Sequence, residues 1–186
     1  MQQDRERRIL DTALEVFARH GFRRVTMGEL AKAAGLSRPS LYNSFSSKEA
    51  VFEAVMRDHT TRTLATLRED LEGIEGTAAR LTLAFEAWVV AGYELVSASP
   101  DAADLVECAN GFAAEAFADT IAAFEALLTE VLEPHREALL ARGQDPAGLA
   151  RLLGLSAKGL KLGASSVDEL RELLAGLVQL AEASWS

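Results

Sequence analysis

The chain has 186 residues, enough to bury a sizeable core in one large domain or two small ones. Its apolar fraction of 49% and charged fraction of 25% are those of a globular protein, and a single cysteine with four prolines excludes a disulfide scaffold, a collagen-like chain and a cysteine-built zinc site. The net charge of −9 is unevenly spread: residues 1–62 carry 11 Lys and Arg against 8 Asp and Glu, whereas residues 63–186 carry 8 against 20, so one end of an acidic protein is suited to meet an anion.

No uncharged run exceeds nine residues, too few to span a bilayer, and the opening Met-Gln-Gln-Asp-Arg-Glu contains no apolar leader segment. A soluble cytoplasmic protein is expected. The apolar spacing is helical from end to end, which predicts an all-α fold of about nine helices. Leu10, Ala13, Leu14 and Phe17 mark one face of a first helix, which Gly21 ends. Thr26 caps a short helix over Met27–Ala34, stopped by Gly35, and Ser37 caps a third over about Arg38–Phe45 with Pro39 in its first turn. Ser46 or Ser47 opens a long fourth helix from Lys48 to about Leu71, with a polar middle at residues 58–62. Gly73–Gly76 is the clearest internal break.

Beyond it, Thr77–Ala98 is apolar nearly all round, as in a helix buried within a bundle. Pro100 opens a short helix to about Ala109, and Asn110-Gly111 breaks the chain before a stripe from Phe117 to Leu132. Pro134 should kink or end that helix, with a tail to about Arg142. Asp145-Pro146 starts a helix to about Gly163, and Ser166 to Glu169 reads as a capping box opening the last.

The second and third helices, joined by Ala34-Gly35-Leu36-Ser37, have helix-turn-helix spacing. Leu30, Ala31, Ala34, Leu36 and Leu41 would hold the pair against the first helix. The third helix would then face outward, able to enter a major groove with Arg38, Ser40, Tyr42 and Asn43 projecting. Arg and Asn can each make two hydrogen bonds to a base edge. The helix starts at Thr26 and Lys48 suit phosphates. An αα-hairpin without a DNA role has the same outline, and spacing alone does not choose.

The residues go further. Arg8 to Phe17, Gly21-Phe22 and Val25 to Glu49 closely resemble the DNA-binding domain of the TetR/AcrR family of bacterial transcriptional regulators. Ala13, Phe17, Gly21, Thr26, Ala31, Gly35, Leu41-Tyr42, Phe45 and Lys48 all agree at once. The resemblance implies a helix-turn-helix domain over residues 1–50 and a ligand-binding and dimerisation domain over residues 51–186, with the fourth helix linking them. It implies a homodimer that represses from a palindromic operator and lets go when a small molecule binds. Carried over by position, Thr26, Tyr42 and Lys48 are expected phosphate contacts, and Arg38, Pro39, Ser40 and Asn43 lie on the recognition helix. Pro39-Ser40 and Asn43-Ser44 depart from the family's commoner residues, which bears on the sequence read. Tyr42 also has a reading as a packing residue.

Small residues recur late in the chain: Gly154, Ser156, Gly159 and Gly163, then Gly176. Glycine inside a helix costs about 1 kcal/mol against alanine, and close approach of another helix is a physical reason to keep it. The resemblance implies a four-helix dimer bundle from the last two helices of each subunit, using these residues with Leu170, Leu173, Leu174, Leu177 and Val178. A helix pair inside one subunit is the alternative. Phe85, Trp88, Val89, Tyr93, Phe112, Phe117, Ile121 and Phe124 fall where family members hold ligands and contain few charges, so an apolar or aromatic effector is expected; each alone also suits plain core. His20, His59 and His135 lack metal-ligand spacing, and no convergent acid–base set appears, so neither a metal, a cofactor nor an enzyme is expected. Cys108 reads as inert core. The rival from another class is an enzyme built on a helical bundle, for which the scattered carboxylates offer no such set; a second rival is a helical interaction protein whose helix-turn-helix has lost DNA binding.

Overall fold

The computed structural model describes residues 2–97, Asp104, Cys108 and residues 111–185. The expected short helix over residues 100–109 lies almost wholly outside them. All regular structure among the described residues is helical, and no helix there is long and apolar enough to cross a membrane.

Helix α1 (Gln2–Arg24) leaves helical geometry at Gly21 (φ 70°, ψ 169°), where the sequence places a left-handed glycine, and coils one turn further. Helix α2 (Met27–Ala33) starts on a capping box: the Glu29 N–H donates to Thr26 Oγ1 at 3.3 Å, and the Thr26 N–H donates to the Glu29 carboxylate at 2.8 Å. Its end is a Schellman motif in which Leu36 N–H reaches the Ala31 carbonyl and Gly35 N–H the Lys32 carbonyl, with Gly35 at φ 66°. Helix α3 (Arg38–Tyr42) is shorter than expected by three residues, because the Ser44 N–H donates to the Leu41 carbonyl three residues back instead of to Ser40, which tightens the chain out of the α-helix. Helix α4 (Lys48–Glu72) runs unbroken across its polar middle.

Helix α5 (Thr77–Phe85), a π turn (Glu86–Val90) and α6 (Ala91–Ser97) form the apolar stretch expected as one plain helix. The wider turn brings Val90, five residues after Phe85, onto the same inward side; both are 1% exposed. Helix α7 (Ala114–Leu132) ends at a 3₁₀ turn (Glu133–His135) carrying Pro134, and α8 (Arg136–Ala141) resumes beyond it. Asp145 accepts from the Gly148 N–H at 2.9 Å and opens α9 (Pro146–Gly163). Ser166 accepts from the Glu169 N–H at 3.1 Å and opens α10 (Val167–Glu182). The expected box there is offset by one residue, since the Glu169 carboxylate accepts from the Ser165 N–H at 2.7 Å.

The chain forms two compact units. The first comprises residues 1–61 and 95–120, the second residues 62–94 and 121–186. The loop over residues 73–76 lies inside the second unit, while α4 continues through residues of both. In the first unit Phe17, Leu30 and Leu41 are at most 2% exposed, and Phe17 and Phe22 meet the Phe52 ring edge-on at 5.3 and 5.4 Å. The Cys108 side chain is buried in this core. The second core is aliphatic, centred on Leu81, Leu127, Leu128, Leu132, Leu139 and Leu170, with Phe85 beside them.

Candidate nucleic-acid interface

Burial of Leu30, Ala31 and Leu41 turns α3 so that Arg38, Pro39, Tyr42 and Asn43 are exposed and Ser40 half-buried. Tyr42 is 43% exposed, so it is not a core residue. The Arg38 guanidinium lies over its ring, 5.7 Å from the centroid, a cation–π contact that holds the two most extended side chains of α3 together. Ser37 caps the helix, accepting from the Ser40 N–H at 3.3 Å and donating its hydroxyl to Ser40 Oγ at 2.9 Å.

Two expected phosphate contacts have partners inside the protein. The Thr26 hydroxyl donates to the Glu29 carboxylate at 2.9 Å. These bonds, the side-chain one foremost, hold the Glu29 carboxyl below the ordinary carboxylate range. The Lys48 ammonium donates to the carbonyls of Phe22 at 2.9 Å and Arg23 at 3.4 Å, and sits 4.1 Å from the centre of the Phe22 ring. Lysine here ties the start of α4 to the end of α1, with one N–H of its three left over. A residue that the sequence did not single out also reaches α3: Arg5 Nη2 donates to the Ser40 carbonyl at 3.3 Å. It lies 35 residues away in the chain, so no local spacing signals the contact.

The sequence profile of the bacterial regulatory proteins of the tetR family matches residues 9–55. The HTH-type transcriptional repressor Rv1474c of Mycobacterium tuberculosis is 30% identical over 172 residues, spanning 81% of this chain and 90% of that protein. This chain belongs to the tetR family. The HTH-type transcriptional activator FasR of Mycolicibacterium smegmatis is 30% identical over 153 residues, 76% of this chain and 68% of its own. A TetR-family regulator from Rhodococcus sp. has the same fold, with a TM-score of 0.72 over the whole of both chains at 21% identity. The protein is thus a DNA-binding transcriptional regulator and not an enzyme.

For a TetR-family member, the residues expected to hold an effector divide between the two cores. Trp88 stacks on Phe124 at 5.2 Å, Phe85 lies 6.2 Å from Phe124, and Val89 is buried beside them; Ile121 is half-buried in the same unit. The Tyr93 hydroxyl donates to the Ala164 carbonyl at 3.4 Å. Phe112 and Phe117 do not join this group. Phe112 lies tilted against Phe22 at 4.7 Å and meets Phe52 edge-on at 5.8 Å, and Phe117 packs against the same first-unit core. A stripe on a helix shows that residues share a face, not which core receives it.

The second unit also has a 210 Å³ hollow lined by Thr82, Phe85, Glu86, Arg171, Leu174, Ala175 and Val178. At its rim Arg171 donates to Glu86 at 2.7 Å and to Glu94 at 3.2 Å. Phe85 alone is common to this lining and the expected effector group.

The expected dimer residues also separate. Leu170, Leu174 and Val178 are 0–5% exposed and belong to their own unit's core. They recur every four residues and form the inward stripe of α10. Gly154 likewise faces inward, where an added Cβ would lie 3.2 Å from Glu125 Cγ. Gly159, Gly163 and Gly176 have nothing within 4 Å of an added Cβ, Leu173 is 39% exposed, and Leu177 and Ser156 are half-buried. Leu162 at 73% and Leu180 at 76% exposure, both absent from the expected set, are bare apolar side chains on the same two helices.

Proposed function

We propose that the protein is a homodimeric repressor that binds a palindromic operator through α3 and releases it on binding a small apolar or aromatic effector. The observation that carries the reading is the outward row of Arg38, Tyr42 and Asn43 on a short helix fixed by the buried Leu41. Repression is favoured because the relative matched over 90% of its length is named a repressor. In this reading Arg38, Pro39, Ser40 and Asn43 face base edges, while Thr26, Tyr42 and the spare N–H of Lys48 meet phosphates. For Thr26 that requires its hydroxyl to turn from Glu29 to the DNA.

The dimer is proposed to form across the exposed side of α9 and α10, where Leu162, Leu173 and Leu180 are bare and the outward glycines let helices approach. The effector is proposed to bind in the second unit among Phe85, Trp88, Val89, Tyr93, Ile121 and Phe124. Its binding favours a dimer whose two recognition helices no longer match successive major grooves, about 34–36 Å apart. Helix α4 is the proposed lever, since it belongs to both units. The experiment is selection of a preferred site by the wild-type protein and by Arg38→Ala. The variant should select a different or degenerate sequence, and an unchanged site would count against α3 as the reading helix.

A further inference from the structure

We infer that Arg5 is an additional DNA-backbone contact of this regulator, seated at the end of α3 by a carbonyl that the helix itself leaves open. Helix α3 has five residues, and the last four carbonyls of any helix lack partners within it. Here the Ser37 carbonyl takes Leu41 N–H, the Pro39 carbonyl takes Asn43 N–H, and the Leu41 carbonyl takes both Ser44 and Phe45 N–H. Ser44 thus passes over the Ser40 carbonyl, where it would donate if the helix continued. Arg5 Nη2 supplies that donor from α1, at 3.3 Å.

The contact uses one of the five N–H groups of the guanidinium. Arg5 is exposed, and no carboxylate is ion-paired with it among the described residues. An exposed carbonyl is satisfied by water as readily as by a side chain, so capping α3 does not by itself require an arginine. A positioned guanidinium beside a DNA-reading helix suits a phosphate, whose oxygens match its planar fork. Lys48 is the contrast: its ammonium is turned onto two carbonyls and a ring of its own unit.

The inference rests on α3 being the helix presented to DNA, and the test separates the two claims. Wild type, Arg5→Ala, Arg5→Gln and Arg38→Ala are titrated onto a random-sequence duplex pool and onto the wild-type selected site, between 50 and 200 mM NaCl. Arg5→Gln keeps an N–H for the Ser40 carbonyl but carries no charge. Thermal melting checks that each variant is folded. Both Arg5 variants should bind more weakly to both DNAs, and the slope of log K against log salt should become shallower by about 0.9 per protomer bound. The deficit against wild type should therefore shrink about 3.5-fold per protomer across that salt range. A wild-type slope in Arg5→Gln, with or without a loss of affinity in Arg5→Ala, would reduce Arg5 to a cap and overturn the inference. If Arg38→Ala also keeps full preference for the selected site, it is the reading of α3 that fails.

Discussion

Replacing Lys48 by Met tests whether the start of α4 is fastened to the end of α1. Methionine keeps an apolar stem of similar reach and deletes only the ammonium. The substitution removes the 2.9 Å bond to the Phe22 carbonyl and the contact 4.1 Å from the Phe22 ring centre. A hydrogen bond from a charged donor contributes about 1.5–3 kcal/mol, and a cation–π contact near the surface about 0.5–1 kcal/mol. The 3.4 Å contact to Arg23 is long and adds little. Because the site is only half-buried, water recovers part of the loss, and about 2 kcal/mol of destabilisation is expected. Urea unfolding read by far-UV circular dichroism measures it. Trp88 and Trp185 both lie in the second unit, so tryptophan fluorescence follows that unit separately. The circular dichroism transition should shift by the full amount. A change within about 0.5 kcal/mol, the scatter of an ordinary surface substitution, would refute the anchoring role.

Four further outcomes are expected. Leu41→Ala, at a residue with 0% exposure, should cost about 2–5 kcal/mol in urea unfolding and abolish operator binding, because the turn of α3 depends on it. Gly35→Ala should cost about 1–2 kcal/mol from φ +66° alone, since an added Cβ meets nothing within 4 Å, and Gly35→Asn should cost less in the same assay. Leu162→Glu with Leu180→Glu should yield a folded monomer in sedimentation, whereas an intact dimer would move the proposed interface elsewhere. The Glu29 carboxyl should titrate below the ordinary carboxylate range by NMR and return toward it in Thr26→Val. Since its folded-state pKa is depressed, the stability it contributes is present above the unfolded value and is lost as pH falls through the folded one.

The starts and stops of the helices were largely legible because their signals are local. Gly21 and Gly35 both adopt the positive φ expected of them, and Thr26, Ser37, Asp145 and Ser166 all cap helices. Long-range contacts carry no such signal. Lys48 reads as a phosphate ligand until Phe22 and Arg23, more than 20 residues away, are seen to receive its ammonium. Phe117 and Phe124 share the apolar stripe of α7, yet the chain delivers them to different cores. On α10, apolar residues occupy more than one face, so the count of leucines could not separate Leu174 in the core from Leu180 at the surface.

The central claim is that this TetR-family protein reads a two-fold symmetric DNA site as a dimer. The most direct measurement is selection from random duplexes by the purified protein, followed by a salt titration on the enriched sequence. The account predicts a palindrome whose half-sites lie about one helical turn, or a multiple of it, apart, bound with an affinity that falls steeply with salt. Enrichment of no sequence at low salt, by protein refolded from denaturant to strip any carried effector, would contradict it.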